Sequence, residues 1–503
     1  MPSLIFQYTG TALLLLLAAA WSYSNHKHRL SVVLVLGGGL LLRLVAATLS
    51  PELFTWDEQF HALAAKHLMQ TPLHPRLYPE YLGPEVHEYW MRSYTWLHKP
   101  PLTMWLGALS MKVFGVSVFA YRLPFVLLST ATLLLQYLIV LRLAGERAGF
   151  AALWLLTFSQ YVLLTVAGAA GMSGLDTTLV FTTSLGLWAW LRWEDSGQWR
   201  WALLLGLACG LGVLTKWLVG LLPLCVAGLS LLLTNLPLFR AHQPSKSWQP
   251  WAQLVAAVSL MLILAAPWYV YAAQAFPESF ATEMSSFSAH FTRQPGVVQD
   301  QHYPWYVYLI TLPRLYAWPL AVLLPIALLA FFRSARNLGL ALVCLATLIA
   351  VYGFFMLADW RIPHYVVLLY PLMLALFGAL VARMQQSLQL RLSERHARNV
   401  TLVLLLTLSY MMLKPAQWQT DLQPPMSSEL RQLFQRLPRP QTVAPVVFGA
   451  DQEDVPRLMF HSGWIVVRDA CDSRLAERLL KTGRNCWCLR TINNRPQLEP
   501  LAA

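Results

Sequence analysis

The chain has 503 residues, 57% of them hydrophobic and only 12% charged, and a mean hydropathy of +0.48. Soluble domains carry roughly 45–50% apolar and about 25% charged residues; this composition excludes a string of soluble domains, and apolar runs long enough to cross ~30 Å of hydrocarbon as helices also exclude a β-barrel and a disordered chain. A net charge of +13 would suggest nucleic acid on a soluble domain, but many of the basic residues sit in short loops between apolar runs, where they set topology and meet anionic headgroups.

In chain order the apolar spans are Leu4–Trp21, Leu30–Ala47, Val118–Leu141, Ala148–Ala167, Thr177–Leu191, Trp201–Leu214, Trp217–Thr234, Trp251–Tyr271, Trp305–Phe332, Leu338–Leu357, Tyr365–Val381 and Val400–Met412. The pattern predicts an all-α polytopic membrane protein with about 11–14 transmembrane helices. Alternate connections carry Lys27 and Arg29, Arg142 and Arg147, Arg192 and Arg200, Arg240 and Lys246, Arg333 and Arg336, then Arg383, Arg391, Arg395 and Arg398, whereas the opposite short loops carry only Lys216 and Arg361. The positive-inside rule makes the first set cytoplasmic and places both termini outside. Ala18, Ala19 and Ala20 resemble a signal cleavage site, but no basic stretch precedes them, so the first span is expected to be retained.

Three external segments exceed simple turns: Ser50–Ser117, Ala272–Pro304 and everything after Lys414. The first is predicted to hold a short helix at Asp57–Met69 and an apolar helix at Pro100–Phe114. Residues 1–414 form the membrane domain, with external loops at 51–117 and 272–304. A linker follows at 415–425. In the tail, residues 426–503, helix patterns at Ser428–Arg436 and Ser473–Lys481 alternate with strand-like Val443–Phe448, Trp464–Arg468 and Trp487–Arg490, which predicts a small external α/β domain. Cys209, Cys225 and Cys344 lie in apolar runs; Cys471, Cys486 and Cys488 permit one disulfide, from Cys471 to either of the others.

Ionisable residues near apolar spans are costly in lipid and should line a cavity. Asp57-Glu58, His98-Lys99-Pro100-Pro101, Asp176, Lys216, His290 with Arg293, and Arg361 all map to the predicted external face. Thr55 is placed to cap the Asp57 helix, with Asp57 and Glu58 complementing its dipole; alternatively a carboxylate there is a general base for an acceptor hydroxyl. Asp57 and His61 share one helical face at the i, i+4 spacing of metal ligands. The two prolines begin a helix and hold His98 and Lys99 at its N-terminus, where anions are favoured and Lys99 can pair with phosphate. Asp176 caps its helix or holds a cationic partner, and Lys216 is a snorkelling turn residue or a cleft cation. Such a cleft suits displacement of a phosphate from a sugar carbon, with cations or a metal on the leaving group. No Gly-rich nucleotide loop and no Asp-x-Asp pair is present, so a lipid-carried phosphosugar fits better than a nucleotide sugar.

The ordered set comprises the Asp57-Glu58 doublet, Lys99-Pro-Pro-Leu with Trp105 and Phe114-Gly115, Gly-Leu-Gly-Val-Leu-Thr-Lys216, Pro267-Trp268-Tyr269, His290-Phe-Thr-Arg293, and Arg361-Ile-Pro-His-Tyr365 up to Tyr370-Pro371. It resembles the GT-C polyprenyl-phosphate-sugar transferases, which include the bacterial aminoarabinose transferases of lipid A and the protein O-mannosyltransferases, over about Leu30–Arg383. The resemblance implies a GT-C-like enzyme of the bacterial inner membrane, with its site and tail domain facing the periplasm. It would invert the anomeric centre while moving a sugar from a polyprenyl (undecaprenyl) phosphate to a lipid A, glycan or protein acceptor. Asp57 would be the catalytic or acceptor-orienting carboxylate, with Glu58 beside it and Asp176 as companion. Lys99 and Arg293 would bind the lipid phosphate, with Lys216 and Arg361 as further cations. His290, with His98 and His61, would hold a divalent metal such as Zn, Mg or Mn. This chain has His98 and Phe60-His61 where the aminoarabinose branch has Glu and Arg-Tyr, which removes one expected phosphate contact. A monomer among membrane lipids without nucleic acid is expected. A transporter or flippase for a lipid-linked sugar is the competing reading; it favours charges near the midplane and repeated halves.

Overall fold

A computed structural model describes residues 2–84, 86, 90–169, 171, 173–234, 248–289, 303–358, 361–414, 426–440, 443–492 and 495–501. The helices are α1 (Pro2–Ser24), α2 (His28–Thr48), α3 (Asp57–Leu68), α4 (Leu102–Phe114), α5 (Val118–Ala144), α6 (Glu146–Thr157), α7 (Gln160–Ala167), α8 (Gly174–Ser196), α9 (Trp199–Lys216), α10 (Leu222–Thr234), α11 (Gln249–Ala275) and α12 (Pro277–Ala289). They continue as α13 (Val307–Ile310), α14 (Leu312–Tyr316), α15 (Trp318–Val322), α16 (Leu324–Ser334), α17 (Leu338–Leu357), α18 (Tyr370–Gln389) and α19 (Glu394–Leu413).

The chain is a multi-pass membrane protein. Among the described residues, eight helical stretches are long and apolar enough to cross a membrane, or nine if α6 and α7, bent by 48°, form one broken span. The predicted spans Trp201–Leu214 and Trp217–Thr234 correspond to α9 and to the run through α10, one apolar stretch, Trp199–Leu233, broken at Trp217, where Gly212 lies against Gly220. One predicted span differs. Trp305–Phe332 is divided into α13 to α16, because Pro313, Pro319 and Pro325 each sit in a first turn, where a missing N–H costs nothing, and cannot continue a preceding helix.

The chain falls into two compact units. The first contains Met1–Ala46, Phe125–Val166 and Leu175–Trp418. Among its candidate spans the one with the largest buried share is Tyr365–Gln389, and its helix α18 packs against α6, α16 and α19. Arg43 of α2 is fully buried and donates to Ser129 Oγ at 2.7 Å, to the Gly39 carbonyl at 3.1 Å and to the Leu156 carbonyl at the end of α6. A guanidinium inside the bundle is thus satisfied by a hydroxyl and two backbone carbonyls rather than by a carboxylate.

The second unit contains Ala47–Pro124, Ala167–Gly174 and Gln419–Ala503. The sequence assigned the 51–117 loop to the membrane domain; in the structure it packs with the tail. Helix α3 lies against α4 and against a helix of the tail. The tail holds α20 (Ser428–Gln435), β1 (Val446–Phe448), α21 (Val455–Ser462), β2 (Ile465–Val466), α22 (Arg474–Lys481), β3 (Cys486–Ile492) and β4 (Arg495–Pro500). Ser427 and Ser473 cap α20 and α22 by accepting from backbone N–H groups. The sheet order is β2-β1-β3-β4, parallel except for the β3–β4 pair. A Cys471–Cys488 disulfide closes the choice left open by the sequence, and Cys486 stays a buried thiol. The 415–425 linker lies outside the described residues.

Candidate active site

In the second unit, α3 begins at Asp57. Trp56 is its N-cap residue at φ 68° and ψ −135°, with no side-chain cap, so Thr55 does not play the capping role expected of it. A bulky residue at positive φ costs about 1–3 kcal/mol and persists only where its surroundings impose it. Here they do. Glu58, one residue further on, accepts from the Phe54 N–H at 2.7 Å and from Arg122 at 2.6 and 2.9 Å. The remaining Arg122 donors go to the carbonyls of Ala47 (3.1 Å), Ser50 (2.7 Å) and Glu52 (2.7 Å). Both side chains are 1% exposed. Gly168 presses against the same carboxyl, at φ +75°; a Cβ there would sit 2.0 Å from it.

The Asp57-Glu58 doublet therefore divides. Glu58 is enclosed in a structural ion pair, which is a positioning environment rather than that of the catalytic carboxylate expected from the doublet, whereas Asp57 is half-exposed at the head of the helix.

His61 is buried, with Nδ1 3.0 Å from Ser173 Oγ and its ring edge-on to Trp96 at 5.4 Å. His98 stacks flat on Trp90, 4.3 Å between centroids, and the following prolines lead into α4 as the sequence predicts. Lys99, half-buried, sits just before that helix.

In the first unit, Asp176 stands in the first turn of α8 and is 1% exposed; Lys216, at the end of α9 and 17% exposed, donates to its Oδ1 at 3.0 Å. The ammonium also lies 5.0 Å from the centre of the Tyr365 ring. Trp217 takes φ 51° and ψ −142°, a second strained tryptophan beside a candidate charge. Arg361 donates to the Met356 carbonyl at 3.0 Å and the Tyr303 carbonyl at 3.1 Å, which ties it to the end of α17. His290 and Arg293 lie outside the described residues. Among the described residues no three His, Cys, Asp or Glu side chains gather as a metal site; His61 and His98 are engaged as above.

Reading the sequence missed Arg122, Gly168 and the tyrosine partner of Lys216. The hydrogen-bond fork of Arg122 to a carboxylate 64 residues earlier leaves no local signal in the sequence.

A family model described as dolichyl-phosphate-mannose-protein mannosyltransferase matches residues 98–271, a stretch that contains His98, Lys99, Asp176 and Lys216. ArnT from Cupriavidus metallidurans bound to undecaprenyl phosphate superposes with a TM-score of 0.63 at 17% identity, covering 91% of this chain and 92% of that one. The chain has the GT-C fold. It is also 31% identical over 339 residues to an undecaprenyl phosphate-alpha-4-amino-4-deoxy-L-arabinose arabinosyl transferase of Pseudomonas paraeruginosa; the match takes in 65% of the chain and 58% of that relative's length. The archaeal oligosaccharyltransferase AglB from Archaeoglobus fulgidus shares the GT-C fold, with a TM-score of 0.56 at 14% identity over 91% of this chain and 69% of that one.

Proposed function

We propose that the protein is an inverting membrane glycosyltransferase that moves a sugar from a polyprenyl-phosphate carrier to an acceptor hydroxyl or phosphate at the periplasmic face of the bacterial inner membrane. The observation that carries the reading is the contrast between adjacent carboxylates: one is locked in a buried arginine fork, and the other is held half-exposed at a strained helix start. That is how a general base is presented at a fixed position while its neighbour absorbs the anchoring load.

Asp57 takes the acceptor proton as the acceptor oxygen bonds to the anomeric carbon. The bond from that carbon to the phosphate oxygen breaks, and the phosphate leaves with the electron pair. Lys99, which leads into α4 in the same unit as Asp57, stabilises the departing charge. The names of the relative and the superposed structure, both tied to undecaprenyl phosphate, support the carrier class, and the one-sided distribution of loop charges supports the orientation. Incubating the purified protein with a polyprenyl-phosphate sugar and an acceptor, and following release of the lipid phosphate, tests the proposal: transfer supports it, and intact donor moved across a bilayer without release replaces it with transport.

A further inference from the structure

The segment that carries Asp57 is fastened to the tail domain on both sides. Upstream, the buried Glu52 carboxylate pairs with Arg431 of α20 at 2.8 Å. Downstream, the Lys66 ammonium donates to the carbonyls of Met459 (3.0 Å) and Phe460 (2.7 Å) in the last turn of α21 and lies 5.6 Å from the centre of the Phe460 ring. Helix ends expose such carbonyls and carry the negative end of the dipole, so a lysine is matched to that position. The other arm of the loop is held likewise: Arg92 pairs with Asp469 at 2.8 Å, Arg478 donates to the Leu82 carbonyl, and Arg484 pairs with Glu80. All of these groups belong to the second unit.

Helix α3 has 12 residues, a strained N-cap and no capping side chain. A helix this short is marginal by itself and takes its order from tertiary ties. We propose that the tail domain is a clamp for the reaction: Lys66 and Arg431 are positioning residues that fix α3 and, through it, Asp57. The clamp rests on the glycosyltransferase reading for its consequence, but its mechanical part stands apart from that reading.

The test uses the full-length protein in nanodiscs with Lys66→Met, Arg431→Met and the control Lys481→Met, a change at an exposed residue of α22. Hydrogen exchange over residues 57–68 should quicken in the first two and not in the third. Turnover of a polyprenyl-phosphate sugar should fall about 10- to 100-fold, the scale expected of a misplaced catalytic group, with KM for the donor within about twofold, and Lys66→Arg should recover part of it. Unchanged exchange over α3 overturns the clamp. So does a loss of turnover that merely follows the fraction of folded protein, with no split between kcat and KM. A wild-type protein that transfers no sugar while the exchange pattern holds removes the catalytic reading and leaves the mechanical clamp intact.

Discussion

Arg122 reaches both oxygens of Glu58 and three backbone carbonyls between Ala47 and Glu52, so one guanidinium joins the exit of α2 to the first turn of α3. Its charge is fully desolvated, and its partner is the residue next to Asp57.

Removing one member of a buried ion pair leaves an uncompensated charge and costs about 3–5 kcal/mol. Glu58→Gln and Arg122→Met should therefore lower the thermal unfolding midpoint and the yield of folded protein. Gly168→Ala should act in the same direction, since its methyl would occupy the space of the Glu58 carboxyl. Differential scanning fluorimetry in detergent reads all three. A midpoint equal to wild type for Glu58→Gln would mean that the fork contributes no net stability.

Asp176 and Lys216 call for a double-mutant cycle. Lys216→Met leaves a buried carboxylate and Asp176→Asn leaves a lysine without its 3.0 Å partner. The double variant should lose less stability than the sum of the singles, by about 1–3 kcal/mol for contacting groups. Additive losses would show that the pair is not coupled.

Acid should loosen the second unit. Burial, with the charges of Lys66 and Arg76, pushes the His67 imidazole down to about 4; burial, with Lys66, Arg431 and Arg457, does the same to His461. Between that value and the ordinary one near 6.5 the unfolded chain binds the extra protons, so stability is full above about pH 7 and declines as pH falls from 6.5 towards 4. Unfolding midpoints measured from pH 8 to 4 should show the decline, and His67→Gln with His461→Gln should flatten it.

Peptide mapping should recover Cys471 linked to Cys488, with Cys486 alkylated only after unfolding. Reduction should destabilise the tail by roughly 3 kcal/mol, the loop-entropy value for a closure near 15 residues.

Features set by local pattern were legible in the sequence. Hydropathy located the spans, the proline pair marked the start of α4, and alternation placed the tail strands close to Val446–Phe448, Ile465–Val466 and Cys486–Ile492. Strand β4 and helix α21 escaped notice: β4 carries two prolines and charge on a half-exposed edge, and α21 starts without the capping serine that marks the equally short α20 and α22. Of the candidate site, residue types and order were visible, but partnership was not. Nothing within a few residues of Glu58 distinguishes it from Asp57; the difference is made by Arg122 and Gly168, which folding brings from distant segments.

The most direct measurement is donor turnover by Asp57→Asn beside wild type, scored as polyprenyl phosphate released. Turnover should fall by about 10²- to 10⁴-fold, the usual contribution of a general base, while the unfolding midpoint stays close to that of wild type and donor binding is retained. Release at the wild-type rate would contradict the account at its centre, because the half-exposed carboxylate at the start of α3 would then have no part in the chemistry.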